Sequence, residues 1–148
     1  MASILIIDDE RPIRSTLRDI LEYEKIKITE AEDGIKGLDL IKANDYDAIL
    51  CDIKMPGMDG IEVFEQIQDI KPDVPVIMIS GHGNIETAVE SLKKGAYDYI
   101  SKPPDLNRLL VTVRNALDRK TLVKETRILK KKVADKSASP IIGTSTAI

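Results

Sequence analysis

Short apolar segments of strand length recur along this chain and end on chemistry-bearing residues, with helical patterns filling the gaps between them. Ser3–Ile7 is followed by Asp8 and Asp9, Ala48–Cys51 by Asp52, Val76–Ile79 by Ser80, and Tyr97–Ser101 by Lys102. Continuous apolar runs suit strands buried on both faces. Strands alternating with helices imply an α/β fold, a parallel sheet covered on both sides. In an open sheet of this kind the C-terminal strand ends share one rim, where ligands bind. Acids, a hydroxyl and a lysine are thereby expected at one site, although they span residues 8 to 102 of the sequence. Carboxylates to hold a cation, with a lysine and a hydroxyl to hold an anion, describe a phosphoryl-transfer pocket.

The intervening segments carry helix signals. Ile13, Leu17, Ile20 and Leu21 fall at helical spacing over residues 10–24, with Pro12 tolerated in the first turn. Lys27–Ala31 reads as a second, partly polar strand. Asp33 is placed to cap a helix through Ala43, with Ile35, Leu38 and Ile41 expected to face inward. Met55-Pro56-Gly57 breaks the chain before a helix over Gly60–Ile70, and Pro72 and Pro75 announce a strand over Val74–Ile79. A helix from Asn84 to Lys94 ends at Gly95, and Tyr97–Ile100 forms the fifth strand. Asp105 caps a last helix that starts at Leu106 and offers Leu106, Leu109, Leu110, Val113 and Leu117 to the sheet.

No breaker follows Leu106 until Ser137, so this helix could run about 30 residues, or about 45 Å at the standard rise. Leu122, Leu129 and Val133 give its outer part a spacing that suits a short coiled-coil seam, interrupted at Thr126. Residues 106–136 carry a net charge of +7 against −10 for the remainder. The basic stretch reads as a solvated helix face rather than a nucleic-acid contact. Cys51 is the single cysteine, which excludes an intramolecular disulfide and fits a small core residue in a reducing compartment. Neither a signal-peptide pattern nor a run of about 18 apolar residues is present, so a cytoplasmic location without membrane contact is expected.

Five segments together resemble the signatures of a response-regulator receiver domain. They are Ile6-Ile7-Asp8-Asp9-Glu10, Asp52-Ile-Lys-Met-Pro-Gly-Met-Asp-Gly60, Ser80-Gly-His-Gly83, Lys94-Gly-Ala-Tyr-Asp-Tyr99 and Lys102-Pro103. They occur in the family's order. The second, third and fourth are similar to those of NtrC-type transcriptional activators, and Ile141-Ile-Gly-Thr-Ser145 resembles the opening of their central AAA+ ATPase domain. The resemblance implies a flavodoxin-like, doubly wound (βα)5 fold, with a receiver domain over 1–117, a linker helix over 118–139 and the start of an AAA+ domain over 140–148.

The same resemblance implies that Asp52 accepts a phosphoryl group from a sensor histidine kinase. Asp8 and Asp9 match the family's acidic pair. With Asp52 and the backbone carbonyl of Lys54 they are expected to hold Mg²⁺, Asp9 more directly and Asp8 through water. Without metal, clustered carboxylates repel one another and at least one pKa should rise. Lys102 is expected to pair with Asp52 at rest and with phosphoryl oxygens afterwards, Ser80 to bond a phosphoryl oxygen, and Tyr99 to act as the switch aromatic. Lys54 and His82 are placed to tune phosphate lifetime, and Gly81 leaves the acceptor approachable. Lys102-Pro103 is expected to be cis. Pro104 departs from the Phe that many relatives have there, a position that helps seat the last helix.

At the level of the whole protein, the resemblance implies a homodimer through the last helices that governs a downstream sigma-54-activating ATPase and its DNA-binding domain. It implies no enzyme beyond self-phosphorylation and autodephosphorylation. A receiver-like interaction module that takes no phosphate is the alternative. A phosphatase on this topology resembles Asp-x-Asp-x-Thr, whose second acid is missing from Asp52-Ile-Lys-Met-Pro. A flavin phosphate would be repelled by Asp8-Asp9-Glu10.

Overall fold

The structure, a computed structural model, describes residues 2–81 and 83–118. Its strands are β1 (Ser3–Ile7), β2 (Lys27–Ala31), β3 (Ala48–Asp52), β4 (Val76–Ser80) and β5 (Asp98–Ser101). Between them lie helices α1 (Arg11–Tyr23), α2 (Gly34–Ala43), α3 (Gly60–Ile70) and α4 (Ile85–Lys93). Residues 106–118 are helical and are called α5. All strand pairs are parallel, in the order β2-β1-β3-β4-β5. This is the flavodoxin-like, doubly wound (βα)5 fold expected from the sequence. The chain leaves β1 toward β2 and returns on its other side to β3, so the switch point lies between β1 and β3.

Alternation along the strands divides the interior into two cores. Leu5, Ile7, Cys51 and Met78 point to one face and pack with Leu38, Ile41, Phe64 and Ile67 of α2 and α3. Ile4, Ile6, Leu50 and Ile77 point to the other and pack with Leu17, Leu21, Leu109 and Val113 of α1 and α5. Each such side chain, fully removed from water, contributes about 1.5–3 kcal/mol. Cys51 is wholly buried and burial raises its thiol pKa, as suits a core residue.

Helix starts follow the expected chemistry at two sites. Asp33 accepts from the Lys36 amide at 2.8 Å, and Asp105 from the Arg108 amide at 2.9 Å. Gly95 adopts φ +116° after α4, which a side chain would resist.

Two inward assignments are corrected. Ile35 is 64% exposed, because the buried stripe of α2 runs through Gly34, Gly37, Leu38 and Ile41. A Cβ on Gly37 would lie 2.6 Å from Ile7 Cδ1, so glycine lets the helix backbone approach the sheet and turns Ile35 outward. Leu106 is 51% exposed at the first turn of α5, over a groove shared with Ile20, Tyr23 and Leu110. β4 starts at Val76 rather than Val74, since the Val74 amide closes a turn onto the Lys71 carbonyl. β5 starts one residue later than Tyr97.

Among the described residues no helix is long and apolar enough to cross a membrane. The linker helix, its coiled-coil seam and the AAA+ start lie outside the described residues, apart from the part of α5 already given.

Candidate functional site

Asp8 and Asp9 leave the end of β1, and Asp52 closes β3 on the neighbouring strand, where Ile7 pairs with Cys51. The acids from the two sides of the switch point therefore meet by register. Lys102 arrives one residue past β5, and its amide donates to the Ser80 carbonyl at 2.8 Å, continuing the β4–β5 ladder. The Lys102-Pro103 bond is cis.

The Lys102 Nζ gathers three carboxylates: Glu10 Oε1 at 2.7 Å, Asp52 Oδ2 at 3.1 Å and Asp8 Oδ2 at 3.3 Å. Asp8 is fully buried. Its Oδ1 accepts from the Glu10 amide at 2.8 Å, while its Oδ2 has no hydrogen-bond partner among the described residues. Asp52 is buried as well, and its Oδ1 accepts a long contact from the Lys54 amide at 3.4 Å. Asp9 and Glu10 are exposed at the mouth. Carboxylate oxygens of Asp8, Asp9, Glu10 and Asp52 lie within 4.8 Å of one another.

Burial, then the charge of Asp8, pushes the Asp52 pKa up to about 7 against the pull of Lys102. Burial likewise raises that of Asp8, against the Glu10 amide and Lys102. For Lys102, burial opposes the charged form, but Glu10, Asp52 and Asp8 outweigh it and raise the pKa. One ammonium thus faces a surplus of acids, two of them buried. Buried charge with incomplete partners is costly. A buried carboxylate oxygen with no well-aligned hydrogen bond and only a 3.3 Å ion pair to a shared lysine, beside an all-oxygen donor set, is the environment that a small hard cation relieves. The residues present fit Mg²⁺.

Ser80 is buried at the end of β4, and its hydroxyl donates to the Gly81 carbonyl at 3.3 Å. A Cβ on Gly81 would come no nearer than 3.9 Å to Asn84 Nδ2 and 4.0 Å to Lys102 Cδ, so the loop there is open. Tyr99 lies on β5, half-buried against the α2–α3 core. The Arg108 guanidinium stands 5.5 Å from its ring centroid and donates to its carbonyl at 2.9 Å. Lys54 is exposed, and its amide faces Asp52. His82 lies outside the described residues.

Two residues at the site escaped the sequence reading. Glu10 stood in the acidic run, yet nothing in the sequence shows that a residue 92 positions away would meet it. Arg14 donates from NH1 to the Asp8 carbonyl at 2.6 Å and from Nε to Glu30 at 3.1 Å, tying the β1 exit to β2. Its signal was an arginine one turn into α1, on the side of a strand-end glutamate.

Comparison with known proteins places this geometry. Residues 4–114 match the response regulator receiver domain family. The nitrogen assimilation regulatory protein NtrX of Azorhizobium caulinodans is 45% identical over 129 residues, 86% of this chain and 28% of that protein. The C4-dicarboxylate transport transcriptional regulatory protein DctD of Rhizobium meliloti is 35% identical over 142 residues, 95% of this chain and 31% of that protein. In the crystal structure of NtrX from Brucella abortus, 30% of that chain aligns with 87% of this one at a TM-score of 0.82 and 39% identity. The chain thus spans less than a third of the length of these relatives. It belongs to the response regulator receiver domain family, and is a receiver domain of the kind that NtrC-type transcriptional regulators carry.

Proposed function

We propose that Asp52 is the phosphoacceptor of a two-component switch and that Asp8, Asp9, Asp52 and the Lys54 carbonyl hold Mg²⁺ beside it. The observation that carries this reading is the placement of Asp52, buried between Asp8 and Lys102 at the switch point of the sheet. An Asp52 oxygen forms a bond to phosphorus while the P–N bond of a kinase phosphohistidine breaks. The bonding pair leaves with the imidazole nitrogen, which takes a proton from solvent. Lys102 positions and neutralises the transferred group's oxygens. When bound, Mg²⁺ supplies charge that offsets the repulsion between carboxylate and phosphoryl oxygens.

Ser80 then turns its hydroxyl from the Gly81 carbonyl toward a phosphoryl oxygen, and Tyr99 follows into the space released. Arg108, bound to the Tyr99 carbonyl and beside its ring, is carried along and alters the face of α4, β5 and α5. Lys54 and His82 tune how long the phosphate lasts. The chain acts through partners rather than as an enzyme on an external substrate. The chain works in the cytoplasm, and its partners are a sensor histidine kinase, a second copy joined through the last helices, and downstream AAA+ and DNA-binding domains acting with sigma-54. The proposed division is a receiver over 1–117, a linker over 118–139 and the AAA+ start over 140–148. The greater length of the relatives supports it.

Intact-protein mass after acetyl phosphate, with and without Mg²⁺ and alongside sedimentation, tests this. A gain of one phosphoryl group that needs Mg²⁺ and is lost in Asp52→Ala is the expected result. No gain, with no beryllofluoride binding, would leave a dimerising module that works without phosphate.

A further inference from the structure

The nearest partner of Lys102 is not the proposed acceptor. Its Nζ lies 2.7 Å from Glu10 and 3.1 Å from Asp52. Glu10 occupies the N-cap of α1, where its backbone is fixed: the carbonyl accepts from Ile13 and Arg14, both at 3.1 Å, and the amide donates to Asp8. An N-cap side chain ordinarily accepts a bond from its own helix. That of Glu10 makes no such bond and crosses instead to a residue from the opposite edge of the sheet. Its side chain is 56% exposed, at the mouth, whereas the two other acids on Lys102 are buried beneath.

We propose that Glu10 is a positioning residue that holds Lys102 at the mouth of the pocket, in competition with whatever anion occupies Asp52. The inference rests on the phosphoacceptor reading and adds a regulator to it. An ammonium has three donors, and all three have a carboxylate within reach at rest. An incoming phosphoryl group must draw the lysine inward from Glu10. The rigid N-cap and the length of the glutamate arm set how strongly the lysine is held back. Lysine transfer thereby becomes a graded step, adjustable at one exposed position without touching a buried acid.

The test is beryllofluoride affinity at saturating Mg²⁺ for the wild type, Glu10→Gln, Glu10→Asp, Lys102→Met and the double variant Glu10→Gln/Lys102→Met. Because Glu10 is exposed, its variants should keep the fold, which circular dichroism checks. Glu10→Gln should bind roughly two- to fivefold tighter, the range of a partly exposed ion pair. Glu10→Asp, which keeps the charge but loses a methylene of reach, should also bind tighter. In the Lys102→Met background the gain should vanish, since a double-mutant cycle isolates effects that act through the lysine. In metal-free protein the Lys102 ammonium resonance should be visible by NMR and broaden in Glu10→Gln. Unchanged or weaker binding by Glu10→Gln overturns the role. So does a gain that persists without Lys102, or Glu10→Asp matching the wild type, because bare charge repulsion would then suffice. A wild type that binds no beryllofluoride overturns the phosphoacceptor reading itself.

Discussion

Gly60 sits with its Cα against the main chain of Asp52, and a Cβ there would collide with the Asp52 carbonyl oxygen and lie 2.6 Å from Ile53 Cα. The Gly60 amide also donates to the Ile53 carbonyl at 2.7 Å. The first turn of α3 is thus seated on the strand end that presents Asp52. A methyl group must push backbone aside, because no flexible side chain is there to yield. Gly60→Ala should therefore destabilise by about 1–3 kcal/mol, as overpacking commonly does, and reduce phosphorylation of Asp52 as well. Urea denaturation with a parallel acetyl phosphate assay checks both. Wild-type stability would show that the contact is slack.

The raised pKa of Asp52 sets a pH dependence. Its folded value of about 7 stands above the ordinary 3.8, because burial and Asp8 disfavour the anion. The folded chain holds this proton more tightly than the unfolded chain does. The contribution to stability is therefore full below the ordinary value and is lost as pH rises through about 7. Asp8 shifts in the same direction. Metal-free protein should melt at a lower temperature at pH 8 than at pH 5, and Asp52→Asn should flatten that slope. Added Mg²⁺ should raise the melting temperature most at the upper end. A metal-free melting temperature that climbs over this interval would contradict the assignment.

Arg14 makes a claim on the acidic loop that no other side chain makes among the described residues. It holds the Asp8 carbonyl and Glu30 together. Arg14→Gln should lose about 1.5–3 kcal/mol of stability, the scale of hydrogen bonds to charged groups, and weaken Mg²⁺ binding because the Asp8-Asp9 turn is no longer anchored. Arg14→Lys should restore only part of it, since an ammonium lacks the planar fork that serves two acceptors. Calorimetric Mg²⁺ titration of the three proteins decides. Equal affinities would confine Arg14 to a structural role.

The two faces of α2 predict opposite outcomes for neighbouring apolar residues. Leu38→Ala removes a buried side chain and should cost about 2–5 kcal/mol. Ile35→Ala, on the exposed side, should stay within about 0.5 kcal/mol of the wild type. Chemical denaturation of both variants measures the contrast, and a large loss for Ile35 would mean that something covers it.

Much of this architecture could be read in advance because it rests on short-range rules. Apolar strand runs, Asp33 and Asp105 as caps, and Gly95 as a helix stop each act over a few residues, and each stands where its chemistry requires. The convergence of Asp8, Asp9, Asp52 and Lys102 followed from parallel topology alone. What was hidden depends on close approach. Gly34 and Gly37 form the packed stripe of α2 because they lack side chains, so a search for apolar side chains chose Ile35 instead. Glu10 and Arg14 have partners that only the folded sheet brings near. The start of β4 moved by two residues, because the turn closed by Val74 onto the Lys71 carbonyl precedes it.

The alternation of β1 has a consequence for how such a domain can diverge. Ile4 and Ile6 fill one layer, Leu5 and Ile7 the other, and the next residue is Asp8. A one-residue slip would exchange the contents of both layers and at the same stroke carry Asp8 out of line with Asp52. Loops at the rim are free to drift, but the strand itself is locked twice over. A lineage that altered this alignment would lose its interior before it could acquire a new chemistry.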